Sequence, residues 1–153
     1  MTDYLIRMGI PEMESFWNDL KNKVLSGKCN SDDVRLYKKL GKTFYLLSKN
    51  PRHPGLNTHE ITQLTNRYGE RVWQSYLENN SPAAGRVYWV YGPNRLDITI
   101  IGLEPHPNDK KNAYDKITLS SLGKETNYWH LYISPNWKQA QKACFFFILF
   151  INI

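Results

Sequence analysis

The stretch GRVYWVYGPNRLDITIIGLEPHPNDKKNAY, residues 85–114, decides how the rest of the chain is arranged. Two apolar runs, residues 86–91 and 96–103, flank Gly92-Pro93-Asn94-Arg95. β-Branched and aromatic side chains pack well on a pleated surface, while Gly, Pro and Asn supply turn dihedrals, so the pattern predicts a hairpin. Neither run is polar along a whole face, and both are expected as central strands covered on both sides. Polar residues gather at the ends: Arg86 where the first strand begins, then Glu104, His106, Asp109, Lys110 and Tyr114 beyond the second. An antiparallel return brings those ends to one edge of the sheet. That edge is the candidate site.

Towards the N-terminus, residues 3–8 predict a short first strand ended by Gly9-Ile10-Pro11. Pro11 suits the first turn of a helix, and Glu12 and Glu14 favour the positive end of its dipole. Met13, Phe16, Trp17, Leu20 and Val24 recur at helical spacing as a core stripe, with Gly27 as the stop. Ser31 is expected as the N-cap of a second helix, with Asp32 and Asp33 in its first turn. Val34, Tyr37, Leu40, Phe44 and Leu47 line one face of that helix, and Arg35, Lys38, Lys39, Lys42 and Lys49 the other. Such a basic face is commonly just solvated. Its functional alternative is a surface that tracks phosphates, extended by Arg52 and His53 in the rigid loop NPRHPG. Residues 56–64 predict a weak strand. Residues 71–78, RVWQSYLE, predict a better one, with Val72, Gln74, Tyr76 and Glu78 alternating against Trp73, Ser75 and Leu77.

Towards the C-terminus, Asn108 or Asp109 is expected to cap a short helix through Ala113, Tyr114 and Ile117. Gly123 then marks a change: residues 124–153 carry NYWHLYISPNW and the apolar run CFFFILFI. Residues 1–123 are expected to form one domain, with 124–153 as an aromatic and apolar extension of unassigned role. A strand, two helices and then strands without intervening helices describe an α+β fold. Its expected form is a small antiparallel sheet of four to five strands, with an N-terminal helical hairpin packed on it and a short C-terminal helix.

The 153 residues are 41% hydrophobic, 14% aromatic and 22% charged, a globular composition with length for a real core. A net charge of +6 favours an anionic partner, and ten tyrosines and five tryptophans supply stacking surfaces for bases. The two cysteines stand far apart and without zinc spacing, so neither a disulfide scaffold nor a metal site is expected. No signal-peptide pattern opens the chain, and its longest apolar run falls short of the roughly 20 residues that a membrane helix needs. A cytoplasmic protein with no membrane partner and no cofactor is expected.

Several strings, in order, resemble a RelE/ParE-superfamily toxin of a bacterial toxin–antitoxin pair. LYKKLGKTFYLLSKNPRHPGLNTHEI is similar to the family's basic helix, Asn-Pro loop and short strand. RVWQSYLE and GRVYWVY resemble its third and fourth strands, where an Arg opens the fourth. LDITIIGLEPHPNDKKNAYDKI resembles its last strand, the polar corner after it and its final helix. The resemblance covers roughly residues 1–122. It implies a small antiparallel sheet with helices on one face, silenced by a cognate antitoxin protein. Many relatives cut mRNA, often on the ribosome, and others poison DNA gyrase without cutting RNA.

Metal-free RNA cleavage needs a base or oriented hydrogen bond for the 2′-hydroxyl, cations for the charged phosphorane and an acid for the leaving oxygen. Arg86 suits the phosphate because guanidinium binds oxygens bidentately and stays charged. His106 suits acid or base work, Tyr114 can orient phosphate or stack on a base, and Lys110 adds charge. These positions correspond to where the resemblance implies an Arg, a His and a Tyr. Glu104 stands where several nuclease relatives carry a second Arg, so it is either the base or a sign against cleavage. Three expectations follow: an mRNA endoribonuclease, a gyrase-inhibiting toxin that only binds, or a catalytically idle antitoxin-binding relative.

Overall fold

The first strand, β1 (Leu5–Met8), leads into two helices, α1 (Glu12–Leu25) and α2 (Ser31–Lys49), in a computed structural model that describes residues 3–78, 85–104 and 113–123. Met13, Trp17, Leu20 and Val24 are the buried positions of α1, and acidic Glu12 and Glu14 sit in its first turn. The N-cap of α2 is Asn30, one residue before the expected Ser31. Asn30 Oδ1 accepts the Asp33 N–H at 2.8 Å, and the Asp33 carboxylate accepts the Asn30 N–H at 3.2 Å. This reciprocal box satisfies two terminal donors where a serine cap satisfies one, and such a cap contributes about 1 kcal/mol.

After α2 come β2 (His59–Glu60), α3 (Thr62–Tyr68), β3 (Trp73–Tyr76), β4 (Arg86–Tyr91) and β5 (Asp97–Glu104). The expected weak strand over 56–64 is therefore corrected to a 3₁₀ turn, Pro54–Leu56, a two-residue strand and a helix. Tertiary contacts explain the helix: Ile61 and Leu64 bury against Val72, Tyr88, Val90 and Ile101. Arg67 donates to the carbonyls of Tyr114, Asp115 and Ile117 and so ties α3 to the returning chain. Residues 113–116 form a turn, and the start of the expected C-terminal helix lies outside the described residues.

The five strands run in the order β1-β5-β4-β3-β2. Every pairing is antiparallel except β1 with β5, which is parallel, so the α+β sheet is mixed. The parallel pair is possible because α1, α2 and the rest of the sheet intervene between its strands. Both central strands are covered on both sides, as the hairpin pattern predicts. Val87 and Trp89 of β4 join Ile98 and Ile100 of β5 in a core with α1 and α2. Tyr88, Val90 and Ile101 point the other way, into a second core with α3 and Ile117. Helices therefore lie on both faces, which corrects the one-faced packing implied by the resemblance.

A bulge in the hairpin fixes what happens at its edge. Tyr91 pairs with Ile98 and Trp89 with Ile100, but Tyr88 then pairs with Gly102 and Arg86 with Glu104. Continued without the shift, the register puts Leu103 opposite Arg86 and turns Glu104 to the other face, because a one-residue slip inverts the alternation. Gly102 has a packing reason to be glycine, since an added Cβ meets Leu119 at 3.2 Å and Tyr88 at 3.3 Å.

Gly41 is different. It lies inside α2, and an added Cβ meets nothing within 4 Å. Gly41→Ala is expected to raise the unfolding free energy by about 0.5–1 kcal/mol, because alanine loses less backbone entropy in a helix. A urea midpoint that falls instead would show that the helix surface there is closed by a neighbour.

Candidate functional site

Two rows of side chains lie on the α3-side face where β4 begins. Tyr76, Arg86 and Glu104 occupy one row, directly opposite one another on β3, β4 and β5. His59, Gln74, Tyr88 and Gly102 occupy the adjacent row. Neighbouring strands are about 4.8 Å apart, so a ligand of nucleotide size can meet several of these groups at once.

Arg86 is only 6% exposed and Gln74 is 0% exposed. The guanidinium lies 4.9 Å from the centre of the Tyr76 ring, where the ring face attracts a cation. Its Nη1 donates to Gln74 Oε1 at 3.4 Å, and Gln74 Nε2 lies 3.3 Å from His59 Nε2. His59 Nδ1 lies 3.0 Å from the Asn57 carbonyl. A carbonyl only accepts, so in the neutral ring Nδ1 carries the hydrogen and Nε2 offers a lone pair to the Gln74 amide. The chain Asn57–His59–Gln74–Arg86 thus has one consistent direction and fixes the amide as well as the guanidinium.

Two polar atoms of this cluster are buried and find no hydrogen-bond partner among the described residues: Arg86 Nε and the Tyr88 hydroxyl. A buried unpaired donor costs about 1–3 kcal/mol, which an anionic ligand can recover. No carboxylate among the described residues forms an ion pair with Arg86. Burial pushes the Tyr88 hydroxyl far above the ordinary tyrosine range; Tyr114 adds to the rise and the Arg86 charge opposes it. Tyr114 meets Tyr88 edge to face, with ring centroids 6.5 Å apart, from the turn that Arg67 holds.

Burial also raises the pKa of the Glu104 carboxyl. The folded protein therefore holds that proton more tightly than the unfolded chain. The linked stability is complete at low pH and is lost as pH rises through the raised value. Glu104→Gln is accordingly expected to have a higher urea midpoint than the unsubstituted protein at about pH 7 and an equal one at about pH 3. Equal midpoints at both would show that the carboxylate is fully solvated.

Of the residues singled out in the sequence, Arg86, Glu104 and Tyr114 come together at this edge, while His106 and Lys110 lie outside the described residues. The basic residues do not join them. α2 packs on the opposite face, and much of its charge is already engaged. Arg35 pairs with Asp32 at 2.8 Å, Lys39 with Glu78 at 2.8 Å, and Lys49 with Asp3. Lys38 also has a partner, and Lys42 is exposed. Arg52 and His53 line a cleft with Tyr91, at the far end of β4. α2 and the Arg86 edge thus lie on opposite faces of the sheet, with Lys39 reaching Glu78, two residues beyond Tyr76.

His59, Gln74, Tyr76 and Tyr88 were not singled out as site residues. The alternation of Gln74 with Tyr76, and of Tyr88 with Arg86, did carry the signal, since i and i+2 share a strand face. Among the described residues, no three of His, Cys, Asp and Glu converge as metal ligands, and no helix is long and apolar enough to cross a membrane. No family model, curated protein or solved structure matches the chain.

Proposed function

We propose that this chain is a metal-independent endoribonuclease, the toxin of a RelE/ParE-like toxin–antitoxin pair, and that it cuts mRNA at the Arg86 edge. The observation that carries the reading is a buried guanidinium, oriented by Gln74 and Tyr76, whose Nε, like the Tyr88 hydroxyl on the same strand face, has no partner among the described residues. Donors fixed in a low-dielectric setting stabilise developing phosphorane charge without reorganising during the reaction.

Arg86 and Tyr88 hold the scissile phosphate in this mechanism. Glu104, one strand from Arg86, takes the 2′-hydroxyl proton, and the new O2′–P bond displaces the 5′-oxygen. His106, two residues beyond Glu104 in sequence, returns a proton to that leaving oxygen. The products are a 2′,3′-cyclic phosphate and a free 5′-hydroxyl. His59 acts as a positioning residue, because its lone pair holds the amide that holds Arg86. A cognate antitoxin covering this edge would silence it, and the ribosome would present the message.

The test is transcript mapping after induction in cells. The reading expects new ends within messages and growth arrest relieved by an antitoxin expressed from a neighbouring frame; arrest with intact RNA contradicts it. Glu104 favours one other reading. A carboxylate one strand from the guanidinium repels a phosphate, as suits a gyrase-inhibiting toxin that only binds. Inhibition of DNA supercoiling by the purified protein, with RNA left intact, would select that reading. Overproduction without any toxicity would select an idle antitoxin-binding relative.

A further inference from the structure

The far end of β4 carries a second group of aromatic and basic residues, on the α2 side of the sheet. Arg86 opens β4 and Tyr91 ends it, so five strand steps, roughly 17 Å, separate this group from the candidate edge. A cleft of about 490 Å³ lies between the 51–58 loop and the rings of Trp73, Trp89 and Tyr91. That volume is in the range of small-molecule sites.

We propose that this cleft binds a nucleotide, with the base against the Trp73–Trp89–Tyr91 wall and the phosphate on Arg52. The ring geometry supports the base position. Trp73 and Trp89 are stacked with centroids 6.0 Å apart, and Tyr91 stands edge-on to both, at 6.4 and 5.1 Å. Two indoles at that distance already touch, and Trp89 is only 1% exposed, so Trp89 backs the wall and a base meets the accessible parts of Trp73 and Tyr91. Trp89 Nε1 is committed to Ser75 Oγ at 2.9 Å. Trp73 Nε1 is buried with no partner among the described residues.

The loop supplies the charge and the rigidity. Arg52 is exposed and forms no ion pair among the described residues, and its charge acts on the Tyr91 hydroxyl across the cleft. His53 Nδ1 accepts the Gly55 N–H at 3.0 Å, so the hydrogen of the neutral ring is on Nε2, available to a phosphate or ribose oxygen. Pro51 and Pro54 fix their own dihedrals. Asn50 Oδ1 holds the Arg52 N–H at 3.0 Å, and Thr58 Oγ1 bridges the Pro51 carbonyl and Ser75 Oγ, both at 2.8 Å. A bare phosphate gains nothing from three rings, and an uncharged aromatic gains nothing from Arg52. A nucleotide uses both, because every base has a face that stacks and every phosphate attracts a guanidinium.

Calorimetric titration of the full chain with 5′-AMP, adenosine and inorganic phosphate tests the site. AMP is expected to bind saturably and about tenfold more tightly than adenosine, and Arg52→Ala to reduce it to the adenosine level. Tyr91→Ala is expected to weaken AMP and adenosine alike, by about 5- to 100-fold. Arg52 is exposed and Tyr91 is 40% exposed, so both variants keep the core. Arg86→Lys is expected to leave the Arg52-dependent part of AMP binding unchanged. The proposal is overturned if AMP shows no saturable binding, if phosphate alone binds as tightly as AMP, or if Arg86→Lys abolishes binding that Arg52→Ala leaves intact. This outcome is independent of RNA cleavage, which is read at the other end of the sheet.

Discussion

Arg86→Lys is expected to slow RNA cleavage by about 10²–10³-fold, the usual loss when one preorganised donor to a charged transition state is removed. Lysine keeps the charge but not the planar fork. Its single nitrogen cannot occupy both the Nη1 position at Gln74 and the Nε position proposed to meet the phosphate. The cation remains over Tyr76, so the fold should survive, and an unchanged far-UV spectrum and melting curve would verify that. Single-turnover cleavage of a single-stranded RNA gives the rate. A variant that melts normally and cleaves at the original rate would remove Arg86 from the mechanism.

Phe44→Ala is expected to destabilise the fold by about 3–5 kcal/mol, lowering the melting temperature by roughly 10–15 °C. Phe44 is 0% exposed and meets Trp17 edge to face at 5.3 Å, while Trp17 stacks on Tyr37 at 5.3 Å. These contacts lock α1 to α2 over the sheet. Truncation leaves a cavity that two helices and a sheet cannot close together. The total stability of a small domain is only about 5–15 kcal/mol, so the variant retains little reserve. Phe44→Leu, which fills most of the space, should cost about 1.5 kcal/mol or less. Equal losses for the two would indicate that the ring is not packed as described.

The helices and the hairpin were legible because their signals are local. The α1 stripe, the α2 face and the GPN turn each follow from spacing within one segment. α3 was not legible, because Ile61 at its N-cap makes no side-chain capping bond, and Arg67 fixes the helix by reaching residues 114–117. At the site, Arg86 could be read from its place at a strand start. The position of Glu104 opposite it could not, since that depends on the bulge between Tyr88 and Trp89, which no residue type announces. His59 gave no signal either; it lies in a two-residue strand and matters only through its register with Gln74. The basic face of α2 was legible from spacing, but the layer it occupies was not, since that is set by which face of the sheet receives the apolar stripe.

Analysis of RNA ends after incubation of the purified protein with single-stranded RNA in excess chelator tests the central claim most directly. Transesterification at the Arg86 edge predicts fragments with 2′,3′-cyclic phosphate and 5′-hydroxyl termini, formed by the unsubstituted protein and strongly reduced in Arg86→Lys. RNA that stays intact, or fragments ending in 3′-hydroxyl and 5′-phosphate, would contradict it.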